Sequence, residues 1–153
     1  MSTFSITDLR TEYLENPLGL DEISPRLFWK IKSDRRGARQ EFYQIKAASS
    51  AEGLSENKND FWDSGKVASG LSTHIPYAGK KLTPRQRVWW QVAVWDEEKN
   101  VHTSPLAFFE MGLLEKKDWS AKWIGCPFHG GKKIGTPVPH LRKTFSTKGK
   151  IRS

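Results

Sequence analysis

The chain has 153 residues, of which 37% are hydrophobic and seven are tryptophans, enough for one domain with a substantial core, either alone or with an incomplete piece of a second. Residues up to 114 include 15 basic and 15 acidic side chains, so the net charge of +8 comes from residues 115–153, which include 10 basic and 2 acidic ones. This basic end lacks the helix, RNA-recognition or zinc-finger pattern that would place charges against phosphates, so nucleic acid is not predicted as a partner. No stretch approaches the ~20 apolar residues of a membrane span, so a membrane is not predicted as a partner either.

Seven short extended segments, separated by turn residues, are predicted to be β-strands. They cover residues 6–13, 26–33, 40–48, 61–63, 73–77, 87–96 and 101–113. In the second of them Leu27, Trp29 and Ile31 alternate with an aromatic residue and two lysines, the period of two that is typical of a half-buried strand. No ten-residue window has convincing helical periodicity, although one helical turn is predicted at 51–54.

The clearest alternation lies in the segment 87–96. One face carries Val88, Trp90, Val92 and Val94, and the other carries Trp89, Gln91, Ala93 and Trp95. We expect Trp90, Val92 and Val94 to share one core with Trp29 and Tyr43. The charged residues 97–100 predict a hairpin turn into the last strand. Short strands at regular spacing predict an all-β sandwich or barrel.

The order of several landmarks resembles that of fibronectin type III domains. They are Trp29 on the second strand, YQI at 43–45 on the third, LTP at 82–84, and WQVAV at 90–94. The resemblance implies a seven-stranded fibronectin type III or immunoglobulin-like sandwich over residues 5–114. There are two departures: Trp90 stands where the family usually has tyrosine, and it lies two residues later than usual after the leucine. We therefore do not expect the hydrogen bond of a tyrosine corner.

Longer stretches are similar to the N-terminal region of bacterial α-L-rhamnosidases, the inverting glycoside hydrolases that release terminal rhamnose. The similar stretches are NPLGLD at 16–21, PRLFW at 25–29, YQI at 43–45, WDSGKV at 62–67, YAGK at 77–80, WQVAVWD at 90–96, FEMGLL at 109–114, DWSAKWIG at 118–125 and LRKTF at 141–145. Each is weak alone, but their order and spacing over nearly the whole chain make the resemblance specific.

The resemblance implies a division of labour between domains. In that family a fibronectin-like domain comes first, a second β-sandwich begins near the WSAKWI motif, and an (α/α)₆ barrel much further on carries the catalytic carboxylates. We therefore expect residues 115–153 to hold a linker and an incomplete start of the second sandwich, with the chain ending before the barrel. The implied partners are the remaining domains of a rhamnosidase or another copy of the chain. Residues 119–124 are expected to lie against the first domain, and the part after 130 to be extended or mobile.

Two pairs of carboxylates are candidates for hydrolytic chemistry, which in an inverting enzyme needs two carboxyl groups about 6.5–9.5 Å apart across a sugar site. Asp60 and Asp63 flank two aromatic residues before a turn, and Glu97 and Glu98 stand on the tip of a hairpin. A hairpin tip provides neither burial nor a cleft to raise the pKa of a general acid. Structural turn chemistry is the favoured interpretation, and no catalytic residue is predicted.

Cysteine and histidine usage gives no metal or cofactor site. The single cysteine, Cys126, excludes an internal disulfide framework and favours a reducing compartment. The four histidines, His74, His102, His129 and His140, lack metal-ligand spacing. No basic segment followed by an apolar run begins the chain, so no signal peptide is predicted, and a cytoplasmic location is favoured.

The outward-facing tryptophans Trp89 and Trp95 are the candidate binding residues. Six residues along a strand separate them by about 20 Å, so both could stack on sugar rings or both could be covered by a neighbouring domain. Three functions remain open: an accessory scaffold within a rhamnosidase, which we favour, a carbohydrate-binding module that uses these two tryptophans, and a fragment of a working rhamnosidase completed by missing sequence.

Overall fold

A computed structural model describes residues 3–125, 138 and 140–149. Its elements are β1 (Phe4–Thr11), β2 (Arg26–Ser33), β3 (Gln40–Ala48), α1 (Ala51–Ser55), β4 (Trp62–Asp63), β5 (Val67–Ala68), β6 (Ile75–Pro76), β7 (Arg87–Asp96), β8 (Val101–Thr103), β9 (Ala107–Glu110) and a 3₁₀ turn (Lys116–Asp118). The chain divides into two compact units, Met1–Trp119 and Ser120–Ser153, and all of these elements belong to the first.

The first unit contains two antiparallel sheets. One has the strand order β1-β2-β6, and the other is built on the central pair β3 and β7, with β4 and β5 paired to β3 and with β8 and β9 paired to β7. In the central pair Tyr43 lies opposite Val94, Ile45 opposite Val92, and Ala47 opposite Trp90. Because directly opposite residues point to the same side of a sheet, this register directs the apolar faces of both strands toward one core. The predicted all-β, immunoglobulin-like sandwich is confirmed.

Three strands have the predicted bounds, namely those at 26–33, 40–48 and 87–96. The predicted helical turn is the short helix α1, which begins after Ser50 because the Ser50 hydroxyl accepts a hydrogen bond from the Gly53 backbone N–H at 3.0 Å. The first strand begins earlier than predicted and ends at Thr11, since the next two residues, Glu12 and Tyr13, have left-handed backbone angles.

The described residues contain nine strands, whereas seven were predicted. The short strand β5 was not predicted, and the segment 101–113 is divided into β8 and β9. The division falls at Ser104 and Pro105, where proline has no backbone N–H to continue a ladder. Ser104 instead binds both polar backbone groups of Val92: its N–H donates to the carbonyl at 2.9 Å, and its hydroxyl accepts from the N–H at 3.1 Å.

The core lies between the two sheets, where the predicted residues Trp29, Tyr43, Trp90, Val92 and Val94 belong to one buried cluster. The largest fully buried side chains are Trp29, Trp90, Phe109, Leu27, Ile45 and Met111. Burial of large aromatic and aliphatic side chains is the main stabilising term for a thin sandwich of this kind.

The two central tryptophans differ in how their indole N–H groups are satisfied. Trp29 Nε1 donates to Gln40 Oε1 at 2.9 Å, and the Gln40 amide in turn donates to two backbone carbonyls. Trp90 Nε1 is buried and has no hydrogen-bond partner within the described residues.

Candidate functional site

The outer face of the larger sheet carries both candidate binding residues. Along β7 buried and half-buried residues alternate strictly from Val88 to Asp96, and Trp89 and Trp95 are both half-buried on the outer side. The face assignment from the sequence is therefore confirmed. Whether these indoles bind a partner remains a prediction.

Trp95 lies beside a second aromatic residue and under a cation. Phe42 is its cross-strand neighbour on β3, and Lys66 Nζ lies 4.4 Å from the Trp95 ring centroid and 4.5 Å from that of Phe42. Lys66 follows Gly65, whose φ of 62° permits the tight turn between β4 and β5. The ammonium group is thus held over both rings in a cation–π arrangement.

Trp89 has an analogous environment at the other end of the strand. Its cross-strand neighbour on β9 is Phe108, with ring centroids 5.0 Å apart and planes inclined by 48°. The Arg87 guanidinium lies 4.8 Å from the Phe108 centroid and forms an ion pair with Glu110 at 2.8 Å. Each tryptophan therefore belongs to an aromatic pair. A basic side chain lies over both rings of the Trp95 pair and over the Phe108 ring of the Trp89 pair.

A polar groove of about 160 Å³ on the same face is lined by Gln44, Lys46, Leu54, Asn57, Gln91, Ala93 and Thr103. Lys46 Nζ donates to Asn57 Oδ1 at 2.6 Å, and Gln91 Nε2 donates to a backbone carbonyl at 2.7 Å. Since Gln91 and Ala93 lie between the two tryptophans on β7, the outer face presents two aromatic patches about 20 Å apart with a polar strip between them.

The first candidate pair of carboxylates stabilises turns. Asp60 accepts a hydrogen bond from the Ser49 backbone N–H at 2.9 Å, and Asp63 accepts from Gln44 Nε2 at 2.7 Å and from the Gly65 N–H at 2.9 Å. Burial opposes ionisation of both carboxyl groups, but these hydrogen bonds outweigh it, so the pKa of each lies below its ordinary value. A general acid needs a raised pKa, and neither group has one.

The second pair belongs to a charged network around the β7–β8 hairpin. The Arg35 guanidinium contacts Glu97 at 3.1 Å, Asp96 at 3.0 Å, and also Glu98. A hydrogen bond from the Arg39 backbone N–H lowers the pKa of Glu97. These contacts favour the structural interpretation of both glutamates, because each one is paired with a cation or a backbone donor.

Asp96 is the member of this network that sequence reasoning missed. Its side chain is 2% exposed and accepts hydrogen bonds from the backbone N–H groups of Glu98 and Asn100, from the Asn100 amide, and from His102 Nε2 at 3.1 Å. Burial alone would raise the pKa of Asp96, but these donors lower it to about 2. The only sequence signal was its place in the inward row of β7.

The histidines and the cysteine, for which no site was predicted, are located as far as the structure describes them. His102 stacks on Phe4 with centroids 4.2 Å apart, and His74 lies beside Tyr13. Cys126 and His129 lie outside the described residues. In the part of the chain that is described, no group of three or more His, Cys, Asp or Glu side chains could hold a metal ion. No helix in that part combines the length and apolar character needed to cross a lipid bilayer.

Residues 120–125, 138 and 140–149 are the described part of the second unit, and they form neither helix nor strand. Trp123 is 95% exposed and Ile124 is 71% exposed. The expected docking of residues 119–124 on the first domain stays a prediction. The expectation for the segment after 130 falls partly on residues that lie outside the described ones.

Comparison with known proteins relates the chain to one family of enzymes. The α-L-rhamnosidase of Streptomyces avermitilis is 47% identical over 128 residues, which cover 83% of this chain and 12% of that protein. An α-L-rhamnosidase of Formosa agariphila is 43% identical over 142 residues, 88% of this chain and 15% of its own length. The chain thus spans only a small part of these relatives.

Solved structures agree with this relation. The crystal structure of the Streptomyces avermitilis α-L-rhamnosidase complexed with L-rhamnose matches this chain with a TM-score of 0.77 and 46% sequence identity. The match covers 82% of this chain and 12% of the rhamnosidase chain. The structure of α-L-rhamnosidase from Dictyoglumus thermophilum matches with the same TM-score and 37% identity, covering 14% of its chain. The family described as "Rha78A-like, N-terminal immunoglobulin domain" matches residues 6–115. This chain therefore belongs to the family of Rha78A-like N-terminal immunoglobulin domains.

Proposed function

We propose that this chain is an accessory domain that holds or orients parts of an α-L-rhamnosidase and performs no chemistry of its own. The supporting observation is that residues 6–115 match the small N-terminal immunoglobulin domain of the family, within relatives of which the chain spans only 12–15%. The bonding of the candidate carboxylates is consistent with this, since each serves a turn or an ion pair.

The docking surface in this proposal consists of the two aromatic patches, Trp89 with Phe108 and Trp95 with Phe42. Half-buried aromatic side chains on a sheet face are suited to become interface anchors when a neighbouring domain covers them. A sugar ring stacking on Trp95 would have to displace Lys66, whose ammonium group lies over the indole. This contact favours docking over sugar stacking at Trp95.

Incubation of the purified chain with an aryl α-L-rhamnoside is expected to give no turnover above buffer, because the pKa values of Asp60 and Asp63 are both lowered and Glu97 and Glu98 are held in ion pairs with Arg35. The measurement is release of the aryl alcohol. Activity that co-purifies with the chain through successive columns, and persists after contaminants are removed, would refute the non-catalytic role.

The docking surface can be tested by grafting residues 6–115 in place of the matching region of the Streptomyces avermitilis relative. In this chimera the pair of substitutions Trp89→Ala and Trp95→Ala should weaken the interface, at about 2 kcal/mol or more for each tryptophan that acts as an anchor. The expected readout is a lower temperature of thermal inactivation than that of the unsubstituted chimera.

Leu71→Ala is the control, because Leu71 is a large hydrophobic side chain that is 63% exposed and its neighbour Ser72 pairs with the smaller sheet at Trp29. If the tryptophan pair and the Leu71 control change the inactivation temperature equally, the outer face of the larger sheet is not the docking surface.

A further inference from the structure

The outer side of the smaller sheet carries an aromatic groove that neither the core nor the proposed docking surface uses. The groove has a volume of about 370 Å³ and is lined by Asp8, Arg10, Tyr13, Phe28, Trp29, Lys30, Thr73 and His74. Its volume falls in the range of small-ligand sites in proteins.

The floor of the groove is Phe28, which points away from the core between the inward residues Leu27 and Trp29 of β2. Although it faces outward, Phe28 is only 8% exposed, because Tyr13 and His74 close over it with ring centroids 4.8 Å and 4.9 Å away. The Tyr13 hydroxyl and His74 Nε2 are joined by a hydrogen bond of 2.8 Å. The rings of Tyr13, Phe28 and His74 thus form one wall of the groove. Tyr13 is the member that stays accessible, since it is 51% exposed.

The backbone around this wall is held in an unfavourable conformation. Four residues here have left-handed φ angles between 48° and 67°, a backbone conformation that residues other than glycine adopt rarely. They are Asp8, Glu12, Tyr13 and His74. Arg26 fixes this geometry by pairing with Glu12 at 2.6 Å and by placing its guanidinium 5.3 Å from the Tyr13 centroid. Conformations of this kind cluster at ligand-binding positions, where the surrounding structure holds them in place.

The rim of the groove presents donors and acceptors together. The Asp8 carboxylate accepts from Arg10 Nε at 2.8 Å and also binds Lys30. Both cations keep exposed side chains, 45% for Arg10 and 73% for Lys30, and both hydrogen bonds lower the pKa of Asp8. Charged groups fixed in this way make strong, directional hydrogen bonds to a ligand.

We propose that this groove binds a single pyranose ring of a neutral sugar. A pyranose has an apolar C–H face that can pack on the exposed ring of Tyr13, and hydroxyl groups that both donate and accept, as the mixed rim of Asp8, Arg10 and Lys30 requires. A wholly apolar ligand would leave these charged groups without new partners, and the Asp8 carboxylate pairs with both cations, so the rim offers an anion only one unbalanced positive charge. The groove lies on the sheet that the proposed docking surface does not use, so this binding is independent of the accessory role.

The test is a titration of the isotope-labelled chain, followed by two-dimensional NMR, with L-rhamnose, methyl α-D-glucopyranoside and methyl β-D-galactopyranoside as probes and glycerol as a polyol without a ring. At least one pyranoside should give saturable shifts at the amides of Asp8, Tyr13, Thr73 and His74, with a dissociation constant in the millimolar range. Tyr13→Ala should weaken that binding about tenfold or more, since it removes the exposed ring of the wall.

Two further variants keep the result interpretable. Lys30→Ala alters only an exposed rim side chain, so it should fold normally and also weaken binding, whereas Trp89→Ala on the larger sheet should leave binding unchanged. The proposal is overturned if no pyranoside gives saturable shifts, if glycerol gives the same shifts, or if the shifts centre on Trp89 and Trp95. Shifts that depend on chain concentration without sugar would also overturn it, because the groove would then be occupied by a second copy.

Discussion

Replacing Trp90 by alanine is expected to lower the free energy of unfolding by about 3–5 kcal/mol, the usual cost of removing a large aromatic side chain from a core. Trp90 is completely buried and belongs to the cluster that joins the two sheets. Its indole N–H has no partner within the described residues, so the loss should arise from packing alone. Urea unfolding followed by far-ultraviolet circular dichroism would measure it.

Trp89→Ala is the matched control, since it removes the same side chain one position along β7 from the opposite face. The substitution removes mainly the contact between Trp89 and Phe108, and an aromatic pair of this kind contributes about 1 kcal/mol to the free energy of unfolding. Equal losses for the two variants would contradict the assignment of the strand faces, on which both the core and the docking surface depend.

Asp96→Asn is expected to have the second largest effect, about 2–3 kcal/mol, because hydrogen bonds to a buried charge each contribute strongly and the amide N–H₂ would face other donors. The asparagine side chain could still accept from the backbone N–H groups of Glu98 and Asn100. The amide nitrogen that replaces the second carboxylate oxygen cannot accept a hydrogen bond, so Arg35 and His102 would lose the acceptor that they share. Glu98→Gln, at a side chain that is 61% exposed, should cost less than about 1 kcal/mol.

The contribution of Asp96 should also depend on pH in a defined direction. The network lowers the pKa of Asp96 from 3.8 to about 2, so its stabilisation is present above the ordinary value and is lost as the pH falls through the lowered one. A shift of this size corresponds to about 2 kcal/mol. The difference in unfolding free energy between the native chain and Asp96→Asn should therefore shrink between about pH 4 and pH 2. A difference that stays constant over this interval would show that Asp96 is not held as a carboxylate by its neighbours.

Much of the fold could be predicted because strand periodicity is a local property. In β7 the alternation of valine and Trp90 with Trp89 and Trp95 specified which residues are buried, and a slip of one position would have exposed the whole apolar set. The short strands were less predictable. The two-residue strand β5 has no periodicity of its own, and the break at Ser104 depends on hydrogen bonds to Val92 across the sheet.

The candidate surfaces could be predicted only in part, because they depend on which strands are neighbours. That Trp89 and Trp95 face away from the core follows from the sequence, since alternation along one strand is enough for that. The position of Lys66 over Trp95 does not, because it depends on the turn after Gly65, which brings that lysine to β3 and β7.

The same distinction holds for the buried carboxylate and the aromatic groove. A regular sequence pattern could place Asp96 in the inward row, but its charge is tolerated only because Arg35, 61 residues away, reaches it. Tyr13 and His74 are also separated by 61 positions and meet over Phe28 through left-handed turns that no local pattern indicates. The long strands and their inner faces could be read from the sequence, because alternation depends on near neighbours. The charged network and the groove could not, because their partners come together only when the two sheets form.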